Sequence, residues 1–515
     1  MGSPDLSCAR RGVGGWGWRT SLAIKRLRPV PVKDGASRSR PPVRAPSTPS
    51  LGRVSGVSWG TPSARAVVAA ATLGSGMTLL DGTVVNVALR TMGEDLDASL
   101  AQLQWITNGY FLSLASLILL GGSLGDRLGR RRVFVIGTVW FALASLLCGL
   151  APTAEVLVVA RVLQGIGGAL LTPGSLAMIQ GAFRAEDRSR AIGAWSGLGG
   201  IAAALGPLVG GLLVDHASWR WIFLINLPIA AVTVWLAQTW VPESRDPRTQ
   251  GRFDVAGAVL AALALAGTTW ALTDAGGAVT LWAAGCGLVA AVVFVAVERR
   301  SRGPMVPLGL FADRTFSAAN LMTLVVYAAL GAILFFLVLQ LQTVGGYNAL
   351  QAGLSTLPIT ACMLLLAARG GALGERIGPR VPMTFGPLVM AAGTLLLLRV
   401  GPDVTWWRDV APGLTVFGLG LALMVAPLTA TVLAAAPDEV AGVASGINNA
   451  LARAGSLLAI AALPMAVGLA GDDYRDPARF DTAYGSAVLA CAALLVVGGL
   501  VSWFTIPRRV QTPTA

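Results

Sequence analysis

Histidine occurs once in this sequence, lysine twice and cysteine five times, and Asp, Glu, Lys and Arg together make up only 13% of its 515 residues. Soluble globular chains carry about 25% charged residues, so this content excludes an ordinary water-soluble domain. Cys8, Cys148, Cys286, Cys362 and Cys491 are scattered singly, without the spacing of a metal site or redox pair, and the last four read as small hydrophobes inside apolar runs. The lone histidine, His216 in the turn VDHASWRW, reads as a solvated turn residue, with an external pH-sensitive group as the alternative. No metal-ligand spacing, no catalytic His, Cys or paired carboxylates at membrane depth, and no phosphate-binding loop are present. The expectation is a chain that is not an enzyme and uses no metal or cofactor.

Apolar residues are what the sequence has instead: 54% of the total, with a mean hydropathy of +0.68. The 63 glycines and 28 prolines do not argue for loops here, because membrane helices tolerate both. Apolar stretches of about 20 residues recur fourteen times, which predicts an all-α polytopic membrane protein. Connectors on the side of the termini carry Arg127, Arg130, Arg131 and Arg132, then Arg184, Arg188 and Arg190, then Arg299, Arg300 and Arg302. The opposite connectors carry Glu94, Asp95, Asp97, Glu155, Asp472, Asp473, Asp476 and Asp481. The excess of arginine on one side puts both termini in the cytosol. Most of the net charge of +13 comes from residues 1–65, an Arg/Pro/Ser/Gly stretch. It reads as a disordered cytosolic tail, with contact to anionic lipid as the alternative, and not as a nucleic-acid-binding element.

The sequence repeats itself. GGSLGDRLGRR at 121–131 and GGALGERIGPR at 370–380 agree at seven of eleven positions, at an offset of 249. The same offset aligns Gly193 with Gly442, Ser196 with Ser445, Gly197 with Gly446 and Gly206 with Gly455. The organisation expected is a tail (1–65), a six-helix bundle (66–241), a two-helix insert (254–297), a second six-helix bundle (316–507) and a short cytosolic C-terminus (508–515). Repeated bundles are how many secondary transporters build two faces that rock about a central site. In the repeated loop, Gly122, Gly125 and Gly129 allow tight turning, while Asp126, Arg127, Arg130 and Arg131, with Glu375 and Arg376 in the second copy, lie at the cytosolic surface. This cluster is expected either to latch the bundles together on that side or only to enforce topology.

At these residues the chain resembles the major facilitator superfamily, and more narrowly its fourteen-helix drug:proton antiporter family. GSLGDRLGRRR (122–132) is similar to the superfamily's loop between helices 2 and 3, RVLQGIGGALLTPGS (161–175) to its helix 4 motif, and LGPLVGG (205–211) to its helix 5 antiporter motif. LLDGTVVNVAL (79–89), SWRWIFLINLP (218–228) and VPESR (241–245) resemble the fourteen-helix branch. Arg90 stands where the helix 1 motif usually has proline, and Ala202 where the antiporter motif often has glycine.

Asp81, inside the first apolar run, needs a partner, a proton or a task, since a charge at mid-helix costs about 2.5–3.5 kcal/mol on insertion scales. At about 1.5 Å per residue, Asp81 lies about 12 Å below the outer end of helix 1 and Arg161 about 10 Å below that of helix 4. The resemblance implies that these helices adjoin. The pair is expected either to couple a proton to transport or to be a permanent ion pair. In helix 5, Gly206, Pro207, Gly210 and Gly211 offer a seam along which helices can slide, or simply tight packing. Trp105, Asn108, Tyr110, Gln164, Trp195, Tyr327, Gln340, Asn448, Asn449 and Arg453 are candidates to line a substrate path, because aromatic faces attract lipophilic cations and amides hydrogen-bond adaptably. Trp105 reads equally as an interfacial anchor. The expectation is a monomeric, proton-coupled exporter of amphiphilic or cationic compounds in a bacterial inner membrane, with small molecules, protons and lipid as its only partners. Export of a self-made antibiotic or siderophore is the alternative, and a membrane sensor or enzyme the alternative of another class.

Overall fold

The computed structural model describes residues 57–245, 254–274, 276, 278–301, 303–437 and 440–508. Most of the basic tail, including Cys8 and both lysines, lies outside the described residues.

Fourteen helices long and apolar enough to cross a membrane occur among the described residues: α1 (Pro62–Asp95), α2 (Leu100–Leu128), α3 (Arg130–Gly149), α4 (Ala154–Ala182), α5 (Ala185–His216), α6 (Trp221–Trp240), α7 (Val255–Thr273), α8 (Ala278–Arg300), α9 (Arg314–Thr343), α10 (Ala349–Ile377), α11 (Arg380–Arg399), α12 (Trp406–Ala434), α13 (Ala441–Ala466) and α14 (Pro477–Thr505). Local chemistry sets their starts. Ser99 and Asn348 build capping boxes with Gln102 and Gln351, and Thr61, Asp254, Asp313 and Asp476 cap four more N-termini. α6 is interrupted at Ile225 and α10 at Thr356, in each case just ahead of a proline, Pro228 and Pro358.

The start of the first bundle is corrected. Residues from Val57 on are not tail: Val57 N–H bonds Ala182 O at 2.8 Å, Trp59 N–H bonds the Asp187 carboxylate at 2.9 Å, and Pro62 opens α1. α1 also continues past 89 to Asp95, because Arg90 and Glu94 pair along its surface at 2.9 Å beyond the apolar run.

Helix pairing repeats eight helices on. α2 packs on α4 as α10 packs on α12, α1 on α5 as α9 on α13, and α3 on α6 as α11 on α14. Without a hydrophobic drive between helices in lipid, such crossings depend on close approach at small residues. The aligned glycines mark them. A Cβ at Gly121 would overlap the Ala169 carbonyl, and one at Gly370, 249 residues on, the Ala422 carbonyl. Gly129 and Gly378 end α2 and α10 with positive φ, +116° and +85°. The insert helices α7 and α8 pair with each other, and α7 also lies against α2 and α13, where Trp105 meets Trp270 with ring centroids 5.7 Å apart.

The two halves meet at the acidic face. Tyr474 O–H donates to Ala98 O at 2.8 Å, Arg475 binds Asp97 at 2.9 Å, and Gln104 donates to Ile460 O and Ala461 O at 2.6 and 3.0 Å. Gln342 donates to Val87 O at 2.8 Å, while the Asp215 carboxylate accepts the N–H groups of Ala349 and Leu350 at 3.1 and 2.9 Å, capping α10 from across the interface. Toward the arginine-rich face the space beside Gly193, Gly197 and Gly200 of α5 and Gly442 of α13 is open. The hydrogen bonds described above join the halves at the acidic face.

Candidate functional site

Asp81 and Arg161 meet at the centre of the first half. Arg161 Nη1 donates to Asp81 Oδ2 at 2.5 Å, and the two residues are 1% and 0% exposed, so both charges are shielded from bulk water. Glycines on α4 make this burial possible. A Cβ at Gly165 would overlap Ser113 and the Tyr110 carbonyl of α2, and one at Gly167 would crowd the Phe141 backbone of α3. With both neighbours this close, Arg161 is enclosed. We expect Gly165→Val to force α4 off α2 at a cost of about 1–3 kcal/mol, read as a lowered unfolding temperature of the purified protein.

The pair belongs to a larger network. Gln164 Nε2 donates to Asp81 Oδ1 and Ser145 Oγ, both at 2.8 Å, and Gln164 Oε1 accepts from Arg161 Nη1 at 2.5 Å. Arg161 Nε donates to Ile106 O at 3.0 Å, its guanidinium lies 4.4 Å from the Tyr110 ring centroid, and Tyr110 O–H donates to Thr78 O at 3.2 Å. Asn226 on α6 donates to Ser145 Oγ at 3.3 Å, and Cys148 approaches Gln164 Oε1 at 3.6 Å. Five helices therefore hold one carboxylate. Sequence reasoning missed Ser145, Cys148 and Asn226; only Asn226, an amide inside the apolar run of INLP, carried a readable signal.

The other predicted residues separate into those near the centre and those away from it. Arg453 of α13 stands over Phe111 of α2 at 5.6 Å, and Trp195 donates to Ser75 Oγ at 2.8 Å. Asn108 is fully buried, with neither amide atom hydrogen-bonded. Tyr327 accepts at its carbonyl from Ser456 Oγ at 2.9 Å, and Asn448 ties α13 to α9 through Asn320 and Thr323 at 3.1 and 2.7 Å. Asn449 is exposed and bonds only back to Ser445 O at 3.0 Å. Three placements correct the substrate-path expectation. Trp105 faces the insert, Gln340 is held by Val400 O and Asp481 near the acidic face, and Gln164 is a partner of the ion pair.

In the antiporter-like motif, added Cβ atoms at Gly206 and Gly210 would overlap Thr83 and Val84 of α1, whereas one at Gly211 would overlap Leu350 of α10. The motif thus packs within its own half on one side and across the halves on the other. Pro207 lies at that second contact, its carbonyl against Gly353 of α10.

In the repeated loop, Asp126, Arg130, Arg131 and Arg132 find partners within their own half. Asp126 pairs with Arg130 at 2.9 Å, Arg130 also donates to Ala177 O, and Glu243 accepts the N–H groups of Arg131 and Arg132 at 3.1 and 3.2 Å, all within the first half. A Cβ at Gly129 would meet the Glu243 carboxylate at 2.7 Å, so Gly129 admits the acid, whereas one at Gly122 would make only ordinary contact with Pro173. Glu375 and Arg376 are exposed. We expect Asp126→Asn to cost under about 1 kcal/mol of stability in a melting experiment, because its partner is partly solvated.

Fourteen spans in two related halves, with a buried charge pair inside the first, are the architecture of a membrane transporter. The profile of the Major Facilitator Superfamily matches residues 71–460, and the chain belongs to that family. It is 36% identical over 400 residues to the tetracenomycin C resistance and export protein of Streptomyces glaucescens, covering 76% of this chain and 74% of that protein. To the methylenomycin A resistance protein of Streptomyces coelicolor it is 35% identical over 464 residues, covering 88% and 95%. To the multidrug efflux pump LfrA of Mycolicibacterium smegmatis it is 35% identical over 416 residues, covering 78% and 82%. These relatives place it in the drug:proton antiporter branch. The fold is shared with an inward-facing, unoccupied bacterial homolog of the lysosomal transporter Spinster, at TM-score 0.63 and 18% identity over 88% of this chain and all of that one.

Proposed function

We propose that the protein exports a small amphiphilic drug or antibiotic in exchange for protons, with Asp81 as the proton carrier. The observation that carries this reading is the sealed Asp81–Arg161–Gln164 network at 0–1% exposure. Protonating Asp81 removes one charge of the pair, while Arg161 keeps Gln164, the Ile106 carbonyl and the Tyr110 ring as partners. A group that can lose its charge without stranding its partner suits a proton carrier better than a fixed structural bridge.

In this reading the arginine face is cytosolic, which agrees with the excess of arginine there. The ion-paired state, open at that face, accepts substrate from the cytosol or the inner leaflet. Opening of the acidic face then releases substrate and lets a proton reach Asp81. Related exporters named for antibiotic resistance support the direction of transport. Purified protein in liposomes, given an inward-directed proton gradient across the orientation tested, is expected to drive dye movement against the dye's own gradient. A rate unchanged by collapsing the gradient with an uncoupler would overturn the coupling.

A further inference from the structure

We propose that Arg453 is the anchor for an acidic group on the transported compound, so that the substrate is an aromatic organic acid bound as its anion. This rests on the export reading for direction only; the charge assignment stands on the geometry that follows.

Arg453 is thirteenth of the 26 residues of α13, at mid-span. Asp81 and Arg161 cancel each other, but no carboxylate among the described residues lies within 4 Å of Arg453. Its guanidinium is half-buried and stands over a ring, Phe111, 5.6 Å from the centroid. An arginine at this depth with only aromatic company is costly to keep, and such charges face water-filled cavities or ligands.

The surroundings point to a ligand. Gly446, Asn449 and Arg453, spaced by three and four residues, form one stripe of α13. Gly446 meets Leu119 of α2 and Arg453 meets Phe111 of α2, so the stripe faces the first half. Asn449, between the two contacts, is nevertheless exposed, with its amide N–H bonded only to Ser445 O. Solvent thus reaches the boundary between the halves beside a guanidinium, an amide with one N–H still to give, and a phenyl ring. Phe111 also rests against Gly82, next to Asp81, which places this boundary one ring away from the ion pair. The guanidinium fork binds carboxylate and phenolate oxygens through charge-assisted hydrogen bonds, and flat ligands stack on the rings. A cationic substrate, expected on aromatic faces alone, meets a like charge among those faces.

The test compares two dyes on one xanthene scaffold, anionic fluorescein and cationic rhodamine 123, by equilibrium fluorescence anisotropy with the purified full chain in detergent. The wild type is expected to bind fluorescein at least tenfold more tightly than rhodamine 123. Arg453→Gln is expected to weaken fluorescein about tenfold without weakening rhodamine 123, and Arg453→Lys to keep fluorescein affinity within about threefold. A wild type that prefers rhodamine 123, shows no preference or binds neither dye overturns the proposal, and that comparison needs no variant to fold. Equal weakening of both dyes by Arg453→Gln overturns it as well. If fluorescein binds through Arg453 but no proton gradient moves it, the anion site stands and the proton-exchange reading fails; proton-driven transport of rhodamine 123 alone is the reverse.

Discussion

Asp81→Asn is expected to lower proton-driven transport at least a hundredfold while substrate exchange without a gradient survives. The asparagine is isosteric, but only its amide oxygen accepts: it keeps the bond from Arg161 and loses the one from Gln164, a local change within the five-helix network. It cannot alternate between charged and neutral forms. A carrier that stays neutral moves no proton, so the gradient has nothing to act on in the cycle. Proteoliposomes measure both quantities: gradient-driven uptake, and exchange of labelled against unlabelled dye at equal pH. Loss of both would make Asp81 a structural partner of Arg161; loss of neither would move coupling elsewhere.

Gly353→Val is expected to have the next largest effect, this time on conformation. A Cβ at Gly353 would overlap the Pro207 carbonyl, backbone against backbone across the halves, where neither side can yield by rotating a side chain. The contact exists only while the acidic face is closed. Overpacking of about 1–3 kcal/mol confined to one state shifts its population by about five- to 150-fold. Spin labels at Asp97→Cys and Arg475→Cys, whose side chains meet at 2.9 Å in the closed state, report the separation directly. With Cys8 and Cys286 replaced by serine, the variant is expected to lengthen the label distance and to transport slowly. An unchanged distance distribution would mean that the helices accommodate the side chain by local shifts.

Much of this architecture was legible because its signals are local. A run of about 20 apolar residues must span as a helix, since lipid offers its backbone no partner. The two copies of the loop motif disclose the repeat, and Gly121 and Gly370 make the same close approach to their own fourth-helix equivalents. Depth along a helix is also readable by counting, which is why Asp81 and Arg161 could be matched.

Rotation about the helix axis was not readable. When a helix is apolar all round, periodicity does not say which side faces a neighbour. Trp105 and Gln340 were therefore expected at the substrate path, whereas one faces Trp270 of the insert and the other Asp481. Partners far apart in sequence were equally hidden: Glu243 reaches the backbone of Arg131 across 112 positions, a tie inside one half.

By itself, the sequence determined a fourteen-span membrane chain, its duplicated halves, the sidedness signal in its arginines and the shared depth of Asp81 and Arg161. Tertiary structure decided which charge is cancelled. Asp81 is claimed by Arg161 and Gln164 because the glycines of α4 let three helices close around it, while Arg453 stands half-buried over an aromatic ring of the other half. Helix composition sets how deep a charge lies; only helix crossing sets what stands opposite, and the free energy of a charge in a low-dielectric interior depends on that neighbour.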